Sequence, residues 1–205
     1  MSSRSRPTAA RGTLFVISGP SGVGKGSVVR AVLERDPALV LSVSATTRLP
    51  RTGEIDGRDY RFLTDDAFDA LIAADGFLEW ATVFGRRYGT PREPIQEARA
   101  AGRDVLLEID VQGARTVRER DPEAVLVFLE PPSIEELHRR LLSRGTEEDN
   151  EVARRLTAAG EELASADLFD HVVVNDELAR ATDEVLAIIE EARARAQDDP
   201  ERNPP

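Results

Sequence analysis

The 205-residue sequence predicts an α/β fold in which a parallel sheet is flanked by helices. Four short apolar runs are continuous rather than alternating in polarity, which is typical of strands buried on both faces of a sheet. They are Leu14–Ile17, Val105–Leu107 with Ile109, Val125–Leu129 and Val172–Val174. Segments with helical periodicity separate the runs, and this alternation favours a doubly wound arrangement.

A helix is predicted after each of these strands. Apolar residues at helical spacing follow the first two runs, in Val28–Leu33 and Val111–Arg118. The third helix is expected from Ser133 to Leu142, where Ser133 and Glu136 have the spacing of a capping box. The fourth, Leu178–Ile189, carries one broad apolar stripe.

The chain departs from this alternation in four places. Residues 44–100 combine Thr/Arg/Gly-rich segments with aromatic residues and one short predicted helix near Asp66–Ala74, so we expect an insert. A polar excursion at 144–160 is predicted to be a helical lid, which leaves 13–43, 101–143 and 161–192 as the core. The termini lack apolar patterning, so we expect a disordered basic arm at 1–12 and a disordered tail at 193–205.

Composition excludes several classes of function. A net charge of −11 argues against a general binder of nucleic acid or anionic membranes, so any anion must meet a local basic pocket. The absence of Cys excludes a disulfide framework, a thiolate metal site and a Cys nucleophile, and two His are too few for a His-rich metal site. Neither an apolar signal segment nor a membrane-length apolar run is found, so we expect a cytoplasmic protein.

A glycine-rich loop joins the first strand to the first helix. Such a loop directs successive backbone N–H groups at one point, and the helix N-terminus adds positive potential, so it binds phosphate groups. Lys25 is the only lysine among 27 basic residues, which suggests a tight anion site that accepts a compact ammonium but not a guanidinium. The predicted phosphate-binding residues are Gly19, Pro20, Ser21, Gly22, Val23, Gly24, Lys25, Gly26 and Ser27. The fold class is therefore refined to a parallel sheet of the P-loop NTPase type.

Gly26 breaks the usual loop pattern. The residue after the lysine is usually Ser or Thr, whose hydroxyl ligates Mg²⁺. Ser27 follows one residue late, and a shift of about 100° around the helix points its side chain elsewhere. We therefore expect phosphate binding to be retained and Mg²⁺ to be held through nucleotide oxygens and water, with no protein residue assigned as a metal ligand.

The insert carries groups suited to a phosphorylated ligand. Arg48 and Arg51 supply bidentate donors, and Tyr60 adds a phenol, which together suit a terminal phosphate. Taken alone, a solvated Arg-rich loop is the simpler interpretation of these residues. Glu79 stands between apolar residues, and a carboxylate matches the adjacent N1–H and N2–H₂ groups of guanine, although an ordinary surface acid is an equally good explanation.

Two further groups of charged residues flank the predicted nucleotide site. Glu108 and Asp110 close the second apolar run, at the carboxyl edge of a strand where α/β sheets bind ligands. Arginines flank the polar excursion, where a flap could deliver them to a transferring phosphoryl group. These arginines are Arg139, Arg140, Arg144, Arg154 and Arg155, of which Arg139 and Arg154 are better explained as helix-surface residues.

In combination, these segments resemble the guanylate kinase family in order and spacing over about residues 13–190. The matching segments are GPSGVGKGS, SVSATTRLPRTGEIDGRDYRF, FLEWATVFGRRYGT, EIDVQG, EPPSIEELHRRLLSRGTE and VVVND. The resemblance implies Mg²⁺-dependent transfer of the γ-phosphoryl group of ATP to GMP. Gly26, Glu108 where the family usually has Asp, and Pro91 depart from its pattern.

The resemblance also implies roles for individual residues. The GMP-site residues would be Ser44, Arg48, Arg51, Tyr60, Glu79, Tyr88, Thr90 and Asp110. Among them Arg51, Tyr60 and Tyr88 would hold the phosphate, while Ser44 and Glu79 would contact guanine. Asn175 matches a position near adenine. The residues sharing the charge of the transferring group would be Lys25, Arg48, Arg140, Arg144 and Arg155.

Two other functions compete with this interpretation. A catalytically silent guanylate-kinase-like module could bind phosphorylated or acidic protein segments through the same Arg/Tyr pocket, and Gly26 favours it. The intact glycine-lysine loop, which a pure binding module would not need, opposes it. The second alternative is a kinase acting on another small phosphate acceptor. A role of Glu79 in binding guanine would distinguish a GMP kinase from such an enzyme.

Overall fold

The main sheet has five parallel strands, as the continuous apolar runs predict. The structure is a computed structural model that describes residues 11–83, 85–142 and 160–198. In sheet order the strands are β2 (Val40–Leu41), β7 (Val105–Glu108), β1 (Leu14–Ser18), β8 (Val125–Glu130) and β9 (His171–Val174). All four predicted runs are strands, whereas β2, which is only two residues long, was not predicted.

Side chains of the central strand alternate between two apolar clusters. Leu14 and Val16 pack on one face of the sheet, and Phe15 and Ile17 on the other. All four are at most 1% exposed, because helices cover both faces. This double burial is the physical reason that the run is apolar at every position.

Helices follow four of the core strands in the predicted order. They are α1 (Lys25–Arg35), α4 (Val111–Arg120), α5 (Ile134–Leu142) and α6 (Leu178–Asp198). Helices α1 and α6 contribute to one face, through residues such as Val28 and Val185, while Ala114 of α4 packs on the other. Within the described ranges, no helix is long and apolar enough to cross a membrane.

Two details of these helices differ from the predictions. The Oγ atom of Ser133 accepts a hydrogen bond from Glu136 N (3.1 Å), but the Glu136 carboxylate pairs with arginines instead of completing the capping box. Helix α6 continues through Asp198, so residues 193–198 are helical where the sequence predicts a disordered tail. Ion pairs from Arg193 to Asp36 (2.6 Å) and Asp104 (2.7 Å) tie this extension to the core.

A second, four-stranded sheet lies between β2 and β7 in the chain. Its order is β4 (Arg61–Phe62), β3 (Ala45–Thr46), β6 (Arg86–Pro91) and β5 (Phe77–Val83). Helix α2 (Asp65–Ala73) packs on it, with the rings of Phe68 and Phe77 stacked at 4.4 Å. Helix α3 (Arg92–Ala100) then leads back to the main sheet, where Ile95 and Ala98 join its core.

Arg99 is a buried charge, with 1% of its surface exposed, at the end of α3. It forms an ion pair with Asp121, and its Nε donates to Gly12 O (2.8 Å). We expect Arg99→Ala to lower the free energy of unfolding by about 3–5 kcal/mol, because it leaves Asp121 without its guanidinium partner. Urea denaturation measures this loss. Arg35→Ala, which removes an exposed pair with Asp183, should cost less than about 1 kcal/mol, and equal losses would contradict this prediction.

Candidate active site

The loop after β1 has the backbone geometry of an anion cradle. Gly19, Gly22 and Gly24 have φ angles of 143°, 88° and 100°, which residues with a Cβ rarely adopt. A Cβ at Gly19 would also lie 2.3 Å from Leu129 O. Helix α1 begins at Lys25, immediately after the loop, so the positive end of the helix faces the same point. The predicted strand, loop and helix are confirmed.

Lys25 lies across the mouth of this loop. Its Nζ donates hydrogen bonds to Gly19 O (2.6 Å) and Pro20 O (3.2 Å). A cavity of about 290 Å³ opens beside it, lined by loop residues together with Ser27, Arg30 and Glu108. Backbone N–H groups, a helix N-terminus and an ammonium therefore converge on a space that suits the phosphates of a nucleotide.

Two predicted site residues support the loop from outside. Asn175 is buried just after β9, and its Nδ2 donates to Val23 O (2.8 Å). Arg140 on α5 donates to the same carbonyl from Nη1 (3.2 Å). Both side chains thus fix the loop backbone, and the contacts of Asn175 with adenine and of Arg140 with a transferring phosphoryl group stay predictions.

Arg48, Tyr60 and Tyr88 form a cluster of side chains on the insert. The guanidinium carbon of Arg48 lies 5.3 Å from the centre of the Tyr60 ring, and the two Tyr rings are 6.1 Å apart. Glu54 pairs with Arg48 through two hydrogen bonds of 2.8 and 2.9 Å, which lower the pKa of the Glu54 carboxyl. Burial raises the pKa of the Tyr60 hydroxyl, so this group remains a neutral hydrogen-bond donor.

Glu79 is buried between β5 and α4. It is 6% exposed, and its carboxylate accepts a hydrogen bond from the Thr90 hydroxyl. Burial raises its pKa to about 7, and the charge of Asp110 acts in the same direction. Asp110 caps α4 by accepting from Gly113 N (2.7 Å). A Cβ at Gly113 would lie 2.9 Å from Glu79 Oε2, so glycine is needed for this close approach.

The remaining predicted residues are less well placed. Ser44 is half-buried directly before β3, and its carbonyl accepts from Arg61 N (2.9 Å). Arg51 is exposed, and its backbone N–H donates to Glu54 Oε2 (2.6 Å), the carboxylate that also pairs with Arg48. Arg144 and Arg155 lie outside the described residues, as does the predicted lid apart from Gly160.

One cleft of about 490 Å³ extends from the phosphate loop to Asp110 and the start of α4. Ser21 and Lys25 line one side of it, and Asp110 lies on the other. Sequence reasoning missed Thr82, Gln112, Arg115 and Glu162, which also line this cleft. Little in the sequence marks these four residues as part of a site. Only the three-residue spacing of Gln112 and Arg115, which places them on one face at the start of a helix, could have indicated a shared role.

Glu108, which the sequence places at the ligand-binding edge of the sheet without a specific role, lies beside the phosphate loop. It ends β7 opposite Ile17 of β1, and its side chain lines the phosphate cavity of about 290 Å³. Its partial enclosure raises the pKa of the carboxyl, whereas the charges of Lys25 and Arg30 lower it. Within the described residues, no group of three or more His, Asp or Glu side chains is arranged to hold a metal ion.

Comparisons with known proteins agree with this geometry. A model of the guanylate kinase family matches residues 11–192. A guanylate kinase of Nocardia farcinica is 55% identical over 187 residues, covering 90% of this chain and 97% of that protein. One from Gloeobacter violaceus is 56% identical over 176 residues, 86% of each chain. The crystal structure of guanylate kinase from Anaplasma phagocytophilum superimposes with a TM-score of 0.73, at 33% identity, covering 89% of this chain and 86% of that one. The chain belongs to the guanylate kinase family.

Proposed function

We propose that this protein transfers the γ-phosphoryl group of ATP to GMP, giving ADP and GDP. The observation that carries the proposal is the shared cleft, in which Lys25 of the phosphate loop faces Asp110, the neighbour of Glu79. The phosphate loop and Asp110, whose charge acts on Glu79, thus border one space. Family membership supports the same reaction.

On the donor side, the loop binds the ATP phosphates. Backbone N–H groups within residues 21–26 and the Lys25 ammonium contact the β- and γ-phosphates, while Asn175 and Arg140 hold the loop in place. Mg²⁺ fits this cavity, because Glu108 contributes hard carboxylate oxygens and the space of about 290 Å³ admits phosphates together with water. Bound Mg²⁺ would neutralise phosphate charge.

On the acceptor side, two groups of insert residues bind different parts of GMP. Arg48, Tyr60 and Tyr88 bind its phosphate, and Arg51 joins them once that anion is present. Glu79 accepts the guanine N1–H and N2–H₂ donors, the Thr90 hydroxyl orients it, and Asp110 lines the neighbouring cleft. Ser44 completes the base site. Glu79 and Thr90 are already hydrogen-bonded in the fold, so the base site needs little reorganisation on binding.

Catalysis then consists of positioning and charge neutralisation. A phosphate oxygen of GMP attacks the γ-phosphorus in line, and no protein side chain forms a covalent bond. Lys25 and Arg48 stabilise the charge shared by the attacking and leaving oxygens, together with Arg140, Arg144 and Arg155 from the lid side. A closed lid would exclude the water that otherwise hydrolyses ATP.

A coupled assay of ADP release with ATP and each of GMP, AMP, CMP and UMP tests the proposal. We expect kcat/KM for GMP to exceed that for the other acceptors by at least about 100-fold, because only guanine pairs with a carboxylate through two adjacent donors. Turnover with another acceptor would indicate a different kinase. Phosphopeptide binding without turnover would support the silent module instead. A cytoplasmic location without nucleic-acid or membrane partners stays a prediction.

GMP binding should depend on pH through Glu79. Its pKa of about 7 means that the carboxylate is protonated at lower pH, and a protonated acid cannot accept both guanine donors. We expect KM for GMP to rise roughly five- to tenfold between pH 8 and pH 6. Glu79→Gln should flatten this profile except for the titration of the GMP phosphate itself. An unchanged wild-type KM across this range would contradict the assignment.

A further inference from the structure

A separate cavity lies between the insert and the C-terminal end of α4. Its volume is about 380 Å³, and Leu78, Ile95 and Gln96 line it together with six charged side chains. Among the residues that the structure describes, none that lines this cavity also lines the nucleotide cleft or the phosphate cavity. Asp110 caps the start of the ten-residue helix α4 and Arg120 ends it, so the helix length of about 15 Å separates the cavity from the nucleotide cleft.

The charged side chains of this cavity carry a positive excess. They are Arg11, Arg92, Arg99, Arg120, Asp75 and Asp121. Arg99 and Asp121 form an ion pair, so their charges cancel. Three arginines and a single aspartate, Asp75, then remain in a chain whose net charge is −11. An excess of guanidinium groups around a recess favours binding of an anion, and their planar donors match the oxygens of a phosphate group.

Asp75 already serves two of these arginines as an anion. Its carboxylate oxygens lie 3.2 Å from Arg120 Nη1 and 3.0 Å from Arg92 Nη2. Both arginines also donate to Phe77 O, at 2.8 Å from Arg120 and 3.2 Å from Arg92. Because the Asp75 side chain is 67% exposed, solvent weakens these ion pairs and a multivalent anion can compete for the guanidinium groups.

Two local features leave this arrangement incomplete. Asp75 has a φ angle of 50°, and it is the one non-glycine residue with a positive φ angle in the described part of the chain. Nε of Arg92 is buried and has no hydrogen-bond partner among the described residues. Folded proteins rarely leave such a donor unpaired, and an oxygen of an additional anion would satisfy it.

We propose that this cavity binds a small anion with two or more phosphate charges, held by Arg92, Arg120 and Arg11, and that the anion displaces the carboxylate of Asp75. An inorganic diphosphate and a phosphate ester share the chemistry that these arginines recognise. Asp75 lies between α2 and β5, so the bound anion would release this turn of the insert from α3 and α4. The site is separate from the nucleotide cleft.

Calorimetric titration of the full-length chain with inorganic pyrophosphate tests the proposal. ADP and GMP are added first at saturating concentrations, a pair that the proposed reaction does not convert, so that phosphate groups already occupy the nucleotide cleft. We expect one equivalent of pyrophosphate to bind to the wild type. Arg120→Gln should weaken this binding about tenfold or more, because it removes a charged hydrogen-bond donor.

Asp75→Asn should have the opposite effect on pyrophosphate binding. It removes the competing carboxylate, whereas asparagine still tolerates the positive φ angle at this position. We expect the affinity to increase about threefold or more. A general loss of structure would weaken binding in both variants, so opposite changes in Arg120→Gln and Asp75→Asn identify the cavity as the binding site.

Arg35→Gln is the matched control, because it also removes an arginine from an exposed ion pair, here with Asp183, but lies outside the cavity. It should change the pyrophosphate affinity less than about twofold. Ribose 5-phosphate distinguishes the two sources of ligand, since tighter binding of this ester than of pyrophosphate would assign the cavity to an organic phosphate. If neither anion binds, or if Arg120→Gln and Asp75→Asn leave the affinity unchanged, the proposal is wrong. Normal phosphorylation of GMP would then leave the proposed function intact.

Discussion

Replacing Lys25 by alanine is expected to lower kcat by roughly 10³-fold or more, since the ammonium stabilises charge that develops during phosphoryl transfer. The loop carbonyls of Gly19 and Pro20 already hold Nζ over the cradle, so its position is set before the nucleotide arrives. Steady-state kinetics with saturating ATP and GMP measure the loss. Urea denaturation should give a free energy of unfolding close to that of the wild type, which separates catalysis from folding.

Lys25→Arg should restore little of this activity. A planar guanidinium is wider than an ammonium, and two backbone carbonyls at 2.6 and 3.2 Å leave a narrow position for the charged atom. Arg30→Lys is a suitable control, because it exchanges the same two cations on an exposed residue that lines the other side of the cavity. A Lys25→Arg enzyme with nearly normal turnover would refute the tight-cradle argument.

The core could be predicted because strands that are buried on both faces of a sheet are apolar at every position, which is easily recognised in the sequence. Each central strand is apolar throughout, and each glycine in the loop is required by a positive φ angle. The insert was harder to predict. Strands β3 and β4 have two residues each, and α3 follows a proline and is mostly polar, so neither periodicity nor composition identified them. Their conformations depend on pairing with β6 and on packing of Ile95 against the main sheet.

The site was predicted as a set of motifs but not as a set of contacts. Whether Glu79 is buried could not be decided from neighbouring residues, because its environment is completed by Gly113, which is 34 positions away. The proximity of Gly26 to Glu108 could not be predicted either, since in the sequence each residue is an isolated departure from the family pattern. Both are steric contacts between residues far apart in the sequence. They form only when the fold brings β5 against the N-terminus of α4 and β7 against the N-terminus of α1.

Glu79→Gln should raise KM for GMP by about 100-fold or more while changing KM for ATP less than twofold. The amide keeps the size of the side chain and can still accept from Thr90, but its NH₂ group opposes a guanine donor. Glu97→Gln, on the exposed face of α3, should leave both values unchanged. Equal losses for the two nucleotides would assign Glu79 a structural role and favour a kinase for another acceptor.

The same variant should also alter stability in a direction opposite to its effect on binding. Burial raises the pKa of Glu79 from 4.5 to about 7, so the folded state holds this proton more tightly than the unfolded state does. Its contribution to stability is therefore complete below pH 4.5 and is lost as the pH rises through 7. Glu79→Gln removes this loss. The free energy of unfolding in urea should therefore fall less between pH 5 and pH 8 in the variant than in the wild type. If the free energy of unfolding fell equally in the wild type and the variant between pH 5 and pH 8, the Glu79 carboxyl would not be held protonated in the folded state. The expected pH dependence of guanine binding would then have no physical basis.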